Sequence, residues 1–471
     1  MNRTFNERQL VRGGYLYTAD GDNRVVPDSW ILVEGTRIRA IGSAQEPAPP
    51  HDRVIDARGK LVLPGFVNPH WHESFVAPCH ERPDDVGLTP TPYARGGDIE
   101  ALGSMFGFIS AVGDRLRDEE ALAIARFSMW TQLRSGTTAL GDLGSANRAD
   151  AMAQAALDLG MRIRVSRWGS DIMIRRGAST FERIADPEQQ ARDWETLLST
   201  WHEHPSGLVD GMPSVMGAFG SSDEQLAMLR DVSKRYGVPY ATHLAPLRSE
   251  SDALRAVFGK SGVERFDALG LLTDRLLAVH VAFATDAEYA RLLDAGVKLC
   301  HSPGHYGQLG ESSISETRQL GRLLQRGVAL SASTDGGITY VGGMAEAMRA
   351  THLGHNEALN DNTACPPTTA LLAGTRYGAA ALHWQDRIGS IEPGKQADLV
   401  LVDIDDFRYR VGNHPLRIFL VAGSSRDVHT VMVAGEVVVE DGRSTRFDEA
   451  ELLRDYQAAA ASARARIGRP G

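Results

Sequence analysis

The stretch KLVLPGFVNPHWH, Lys60–His72, places two histidines at the end of an apolar run that is typical of a buried strand. Side chains on an extended chain alternate between two faces, so His70 and His72 point to the same side. Both imidazoles can therefore reach one divalent cation at the carboxyl end of this strand. Two histidines at this spacing do not by themselves indicate a metal site, so the case for one depends on the rest of the chain.

The segment 220–335 repeats a unit of helix, glycine, apolar strand and terminal polar residue. Capping-box patterns at Ser222–Gln225 and Thr285–Glu288 predict the starts of two helices. A third helix is predicted from Ser315 to Arg326. The polar residues expected at the carboxyl ends of the strands are His243, His280, His301 and Asp335.

This alternation of strands and helices predicts an α/β fold with a parallel sheet. Polar residues gathered at the carboxyl ends of several strands are where a (β/α)8 TIM barrel has its active site. No glycine-rich phosphate loop opens a first helix, which argues against an open doubly wound sheet. We therefore predict a (β/α)8 barrel.

Both ends of the chain have the pattern of β-structure. Hairpins are predicted at Ser29–Gly42 and at Val428–Gly442, and an Ala-rich, charged stretch closes the chain. The predicted domains are a composite β-sandwich from residues 1–64 and 388–445, a metal-dependent barrel from 65–387, and a C-terminal helix from 446–471.

Composition excludes some classes of partner. The formal net charge of -10 argues against nucleic acid, and no apolar run reaches the roughly 18 residues of a membrane span. Three cysteines cannot form a disulfide framework, and their odd number suits a reducing compartment. The polar residues 1–12 lack the apolar core of a signal peptide. We expect a cytoplasmic enzyme with a small-molecule substrate.

The candidate ligands have the chemistry of a transition-metal site. Three imidazoles and a carboxylate suit Zn²⁺, with Fe²⁺ or Co²⁺ as alternatives, better than Mg²⁺ or Ca²⁺. Such an ion lowers the pKa of bound water towards about 7. Asp335 can also carry the proton of that water to the leaving group, and His280 can hydrogen-bond the hydroxide or oxyanion. The predicted ligands are His70, His72, His243 and Asp335.

Other polar residues are candidates for substrate contacts or for structural roles. His301 is expected to line the substrate pocket, one strand further on. Arg167, after the strand-like Met161–Ser166, is a candidate contact for a substrate oxygen, with a solvated surface charge as the alternative. The pair His202 and His204 runs into a proline at the tail of a helix pattern, and we expect it to be structural.

A series of short segments follows in a fixed order over nearly the whole chain. The segments are LVLPGFVNPHWH (Leu61–His72), LRSGTTALGD (Leu133–Asp142), THL (Thr242–Leu244), AVH (Ala278–His280), CHSP (Cys300–Pro303), STDGG (Ser333–Gly337) and IGSIEPGKQADLVLVD (Ile388–Asp403). The series resembles the amidohydrolase superfamily, in the branch of the atrazine and triazine chlorohydrolases and the guanine, cytosine and adenosylhomocysteine deaminases.

The resemblance implies a (β/α)8 barrel with a composite β-sandwich from both termini. It also implies one metal ion held by His70, His72, His243 and Asp335, and homodimers or larger homo-oligomers. No lysine stands at a central strand end, where a carboxylated lysine would bridge two metals, so one ion is expected.

Two positions depart from the family pattern. Deaminases of this branch carry a glutamate three residues after the third histidine, where it passes a proton to a ring nitrogen of the substrate. This chain has Pro246 there, which cannot titrate. After His301, the run Gly304-His305-Tyr306 replaces the usual small polar Ser-Asn, which predicts a different substrate pocket.

A carbonyl carbon is already electrophilic and needs no protonated ring nitrogen. We therefore expect metal-bound hydroxide to cleave a C–N bond of a urea, carbamate or amide, as in the similar enzymes that act on phenylurea and thiocarbamate herbicides. The alternative is a deaminase or dechlorinase of an N-heterocycle (triazine, purine or pterin), with Glu250 as the nearest downstream carboxylate. A non-catalytic protein on this fold is the third possibility.

Aromatic residues near the motifs suit an N-aryl or N-alkyl substrate, although barrel packing is the commoner role for such residues. Trp71 and Tyr306 are the predicted substrate contacts among them. The full set is Trp71, Phe75, Phe106, Phe108, Trp168, Tyr306 and Tyr340.

Overall fold

The computed structural model describes residues 7–73, 99–144, 146–336 and 342–467, with the side chains of residues 101, 105, 106 and 108 excepted. The strands are β1 (Arg8–Tyr17), β2 (Val25–Glu34), β3 (Arg37–Ser43), β4 (Arg53–Asp56), β5 (Lys60–Pro64), β6 (Phe66–His72), β7 (Thr137–Asp142), β8 (Arg162–Val165), β9 (Ile172–Met173), β10 (Glu182–Arg183), β11 (Val209–Gly211), β12 (Ser214–Gly217), β13 (Tyr240–Leu244), β14 (Leu276–His280), β15 (Lys298–His301), β16 (Leu330–Ala332), β17 (Asp335–Gly336), β18 (Leu399–Asp403), β19 (Val428–Val433), β20 (Glu436–Glu440) and β21 (Arg443–Ser444).

The helices are α1 (Ile99–Arg115), α2 (Asp118–Arg134), α3 (Ala149–Leu159), α4 (Pro187–Trp201), α5 (Asp223–Tyr236), α6 (Arg248–Phe258), α7 (Gly262–Ala268), α8 (Asp286–Asp294), α9 (Pro303–Leu309), α10 (Gln319–Gln325), α11 (Met344–Leu359), α12 (Pro367–Ala373), α13 (Arg376–Ala381), α14 (Pro415–Ala422) and α15 (Glu449–Ile467). No helix in the described ranges is long and apolar enough to cross a membrane.

One sheet joins the two ends of the chain. Its nine strands run in the order β21-β20-β19-β18-β5-β1-β2-β3, with β4 also paired to β1. The two halves meet where β5 pairs antiparallel with β18, in the register Leu63 to Val400. The predicted hairpins are present as β2–β3 and β19–β20. The β-patterns at the two termini therefore form one continuous sheet.

The middle of the chain forms two five-stranded sheets in which every neighbouring pair is parallel. Their orders are β11-β8-β7-β6-β17 and β12-β13-β14-β15-β16. Helices separate most successive strands of these sheets, as the alternating pattern predicts, but β11 leads directly into β12 and β16 into β17. Because parallel strands run in one direction, their carboxyl ends meet at one edge. The carboxyl edge of the first sheet holds the ends of β6 and β17, and that of the second sheet holds the ends of β13 and β14.

Local sequence accounts for most helix boundaries. Ser222 caps α5 by accepting a hydrogen bond from the Gln225 backbone, and Thr285 forms a capping box with Glu288 at α8. The third predicted helix is shorter than expected, because α10 begins only at Gln319. Arg318, just before it, has a φ of 60°, a left-handed conformation that interrupts a helix.

A buried ion pair links the nine-stranded sheet to the parallel sheets. Arg162 of β8 donates two hydrogen bonds to Asp398, with N–O distances of 2.8 and 3.0 Å. Only 3% and 2% of the two side chains are exposed. Asp398 also accepts a hydrogen bond from the Ala434 backbone, so one carboxylate connects β8 to the C-terminal hairpin.

Candidate metal centre

Three imidazoles converge at the carboxyl edge of the parallel sheets. The Nε2 atom of His70 lies 3.1 Å from that of His72 and 3.2 Å from that of His243, and the last two are 3.2 Å apart. Metal–nitrogen bonds of about 2.0–2.1 Å at tetrahedral angles place neighbouring ligand atoms roughly 3.3–3.4 Å apart. The three nitrogens therefore have the spacing of one face of a tetrahedral site.

Groups behind two of the rings fix which nitrogen faces inward. The Nδ1–H of His243 donates to the carbonyl oxygen of Met216. The Nδ1 of His70 lies 3.3 Å from the hydroxyls of both Ser302 and Ser333. A proton held on Nδ1 leaves the lone pair on Nε2 free to bind a cation, the usual arrangement at metal-ligating histidines.

The carboxylate of Asp335 lies against the same cluster. Its Oδ1 is 3.7 Å from the Nε2 atoms of both His70 and His72, and its Oδ2 is 3.7 Å from that of His280. Within the described part of the chain, Oδ2 has no hydrogen-bond partner. Asp335 and His280 have φ of 58° and 70°. Strained conformations of this kind cluster at functional sites.

Burial disfavours charge on every group of the cluster. It lowers the pKa of His70, His72 and His280 well below the usual range, and the neighbouring imidazoles lower it further. It lowers the pKa of His243 to about 4 and raises that of Asp335 to about 8. Neutral imidazoles are metal ligands. A buried carboxylate becomes ionised when a cation lies beside it. The donor set and the open Oδ2 atom therefore fit a divalent metal.

Three further groups lie close to Asp335 or His280, and one of them, Glu311, was not predicted from the sequence. His305 of α9 lies with Nε2 3.6 Å from Asp335 Oδ2 and 3.9 Å from Glu311 Oε1. Tyr306 places its hydroxyl 3.0 Å from Nδ1 of His280, which turns Nε2 of His280 towards Asp335. The departure at Gly304-His305-Tyr306 marked two of these residues, but no motif marked Glu311.

Tyr306 is the predicted substrate contact that lies beside this cluster. Trp71, between His70 and His72, is 2% exposed on the opposite face of β6. Trp168 packs against the ligands instead, with its ring centroid 5.1 Å from that of His72. Phe75 and Tyr340 lie outside the described residues, as do the side chains of Phe106 and Phe108.

His301 and Arg167 lie elsewhere. The Nδ1–H of His301 donates to the Ser331 carbonyl at 2.8 Å, and its Nε2 accepts from Nε2–H of His355 at 3.0 Å. Arg167 pairs with Asp193 at 3.5 Å and lines a surface cavity beside α4. Substrate contact by these two residues stays a prediction. For His301 it would require one of its hydrogen bonds to open.

The pair His202 and His204 is not directed at one point. His202 Nδ1 lies 2.9 Å from Asp210 Oδ1, and His204 Nδ1 lies 2.9 Å from the hydroxyl of Ser206. Each ring is held by a local partner, in keeping with the structural role expected for both.

The Amidohydrolase family model matches residues 61–438. The chain belongs to the amidohydrolase family. Members of this family are hydrolases that bind a divalent metal, and this amidohydrolase acts on C–N bonds.

The chain is similar over almost its whole length to enzymes that act on aminated or chlorinated N-heterocycles. The 5-methylthioadenosine/S-adenosylhomocysteine deaminase of Pelotomaculum thermopropionicum is 29% identical over 455 residues, which cover 95% of this chain and 97% of the relative. The zinc-bound adenosine deaminase of Xanthomonas campestris superposes with a TM-score of 0.80 at 23% identity, covering 97% and 98% of the two chains. The zinc complex of atrazine chlorohydrolase from Arthrobacter aurescens TC1 gives 0.82 at 22%, covering 96% and 100%.

The two structural likenesses show a shared fold. Pro246 led us to expect hydrolysis of a urea or carbamate. The similarity in sequence to an adenosylhomocysteine deaminase favours the alternative, a deaminase.

Proposed function

We propose that this amidohydrolase is a hydrolytic deaminase of an aminated N-heterocycle, of the adenosine type. The observation that carries the proposal is the cluster of three Nε2 atoms within 3.2 Å, with Asp335 and His280 beside it. Full-length similarity to an adenosylhomocysteine deaminase supports the substrate class. The reaction replaces an exocyclic amino group with oxygen and releases ammonia.

In this proposal His70, His72, His243 and Asp335 hold one zinc ion. The bound ion would supply Lewis acidity and an acidic water molecule. Asp335 takes a proton from the attacking water and gives it to the departing amine. His280, oriented by Tyr306, donates a hydrogen bond from Nε2 to the oxygen that develops charge. A neutral imidazole carries one proton, so His280 can donate from Nε2 only if its Nδ1 accepts a hydrogen bond from the Tyr306 hydroxyl.

We further propose that the two parallel sheets form one (β/α)8 barrel over residues 65–387. The nine-stranded sheet would then belong to a composite β-sandwich from residues 1–64 and 388–445, and α15 to the C-terminal segment 446–471. The parallel pairing within each five-stranded sheet and the likeness to barrel enzymes support this division.

Hydrolysis of a urea, carbamate or amide is the second candidate. Pro246 favours it, because proline cannot protonate a ring nitrogen and a carbonyl substrate needs no such step. The two candidates differ in product, since an aryl urea releases a substituted amine and an aminopurine releases ammonia.

The test is product identification with zinc-loaded protein. One pool contains adenosine, 5′-methylthioadenosine and S-adenosylhomocysteine, and the other contains aryl ureas, carbamates and anilides. We expect ammonia and the corresponding 6-oxopurine from the first pool, and loss of both in the Asp335→Asn variant. Amine release from the second pool alone would reject the deaminase and establish the second candidate.

A further inference from the structure

Deamination of a purine needs a group that Pro246 cannot supply. Water adds to the ring carbon only as the adjacent ring nitrogen gains a proton, because that nitrogen otherwise takes up negative charge. Two buried glutamates are candidates for the missing acid. They are Glu250, which follows Pro246 on α6, and Glu311, which follows α9.

Glu250 is directed into the helical layer. It is 1% exposed and accepts a hydrogen bond from the Ala245 backbone, and the charged groups that act on it are Arg265 and Glu288. Arg265 is held by the carbonyls of Ala218 and Ser221. The Oε1 atom of Glu250 is enclosed without a hydrogen-bond partner among the described residues, and the charged side chains that act on Glu250 lie on α7 and α8 rather than in the metal cluster.

Glu311 is directed towards the metal cluster. Its Oε1 lies 3.9 Å from Nε2 of His305, and the same nitrogen lies 3.6 Å from Asp335 Oδ2. The backbone N–H of Glu311 donates to the Tyr306 carbonyl at 3.1 Å, which ties the residue to α9. Glu311, His305 and His280 keep exposures of 6%, 8% and 7%, whereas His70 and His72 have none. These three residues are therefore less enclosed than the four candidate ligands.

We infer that Glu311 is the carboxylic acid that contacts and protonates the ring nitrogen of the substrate, in place of the glutamate absent at Pro246. His305 lies between Glu311 and Asp335 and positions the carboxyl group. This inference rests on the proposed deaminase function and adds a residue to its chemistry.

The carboxyl groups of Glu311 and Asp335 together account for every proton transfer in the reaction. As the C–O bond forms, one water proton passes to Asp335, and the proton of Glu311 passes to the ring nitrogen, converting the ring C=N bond to C–N. Asp335 then protonates the exocyclic amine, and the C–N bond to that amine breaks, releasing ammonia. The remaining proton on oxygen passes to the Glu311 carboxylate as the C=O bond forms. Glu311 and Asp335 return to their starting states, and no other reactant is consumed.

The charge state of Glu311 agrees with this role. Burial raises the pKa of Glu311 to about 8, and the nearby Asp335 carboxylate raises it in the same direction. A carboxyl group with this pKa carries its proton at neutral pH, as a general acid must.

The test compares Glu311→Gln with Glu250→Gln in the full chain. Both substitutions remove one buried carboxyl without changing its size, and burial raises the pKa of both glutamates to about 8. We expect Glu311→Gln to lower kcat for adenosine deamination by about 10²–10⁴-fold, the usual contribution of a general acid, with bound zinc unchanged. Glu250→Gln should retain kcat within a few-fold. Equal kcat in wild type and Glu311→Gln would overturn the inference.

A binding measurement gives a second readout that needs neither turnover nor zinc. Wild-type protein is titrated with the product nucleoside inosine and with 1-deazainosine, which lacks the ring N–H. We expect inosine to bind at least several-fold more tightly to wild type, and this difference to vanish in Glu311→Gln. An unchanged difference would overturn the contact with Glu311. If wild type releases no ammonia from any aminopurine, the proposed function fails, whereas deamination that is indifferent to Glu311 rejects only the inference.

Discussion

His70 and His243 can bind a cation through Nε2 only while another group holds the proton on Nδ1. For His243 that group is a backbone carbonyl, which no side-chain substitution removes. For His70 it is a pair of hydroxyls, Ser302 and Ser333, which lie 2.9 Å from each other. The orientation of His70 therefore depends on two side chains that do not touch the metal position.

The double substitution Ser302→Ala/Ser333→Ala tests this dependence. Loss of groups that orient a ligand usually costs 10–100-fold in metal affinity, and we expect a zinc Kd raised by about that factor in a competition titration. Ser331→Ala is the control, because its hydroxyl donates to the Leu299 carbonyl instead. An unchanged Kd in the double variant would show that His70 needs neither hydroxyl.

The residues that could be predicted from the sequence are those that follow strands. His70, His72, His243, His280 and Asp335 come together because each lies at or just after the carboxyl end of a parallel strand. Glu311 could not be found in this way, since it lies in a turn after a short helix and no periodic pattern predicts that the turn approaches the cluster. For His301, the strand was predicted, but its hydrogen bond with His355 of α11 was not.

At the level of elements, the contact between β15 and α11 includes two buried imidazoles, those of His301 and His355. Burial lowers the pKa of His301 to about 4 and that of His355 well below its usual range. Both pKa values lie below the value of about 6.5 expected in an unfolded chain. As the pH falls from about 6.5 towards 4, the unfolded chain binds protons that the folded chain excludes, so the folded state loses stability.

The variant His355→Gln removes one of these titrating groups. We expect the free energy of unfolding to fall less steeply between pH 6.5 and 4, by up to about 1.4 kcal/mol per pH unit. Urea unfolding curves at several pH values measure the slope. The other buried histidines are common to both proteins, so the difference reports on this pair. Parallel slopes would show that His355 binds a proton equally in the folded and unfolded states, and so does not contribute to the pH dependence.

The ion pair between Arg162 of β8 and Asp398, the residue before β18, is the second element-scale feature with a measurable effect. Asp398→Asn leaves the Arg162 guanidinium buried without its carboxylate, and breaking a buried pair in this way costs about 3–5 kcal/mol. The matched control is Asp56→Asn, because the pair of Asp56 with Arg58 is 55% and 82% exposed. We expect chemical unfolding to show a much larger loss of stability in Asp398→Asn than in Asp56→Asn. Equal losses would show that the buried ion pair does not stabilise the fold.

For the whole molecule, a bound cation should add to the stability of the fold. The ligands come from β6, β13 and β17, which are far apart in the sequence, so the site exists only in the folded chain. A ligand at 100 times its Kd stabilises the folded state by about 2.7 kcal/mol. We expect chelation to lower Tm and zinc to restore it, with no effect in the His243→Asn variant, as measured by calorimetry.

The parts of the fold that could be predicted from the sequence are those with a local sequence pattern. Alternating helices and apolar strands predicted the parallel sheets, and the hairpin patterns predicted β2–β3 and β19–β20. The pairing of β5 with β18 has no local signature, and only the β-character of both ends suggested it. The helix α10 was predicted to begin about four residues too early, because no sequence pattern marked the left-handed conformation of Arg318.

The nine-stranded sheet has a consequence for synthesis on the ribosome. Strand β5 is complete at Pro64, but its neighbour β18 begins at Leu399. At about 5–20 residues per second, the intervening chain takes roughly 20 to 70 s to appear. Throughout that interval an apolar strand has an open edge that can pair with other nascent chains. Yield of the intact protein should therefore depend on how well the cell shields this edge before roughly the last sixth of the chain emerges.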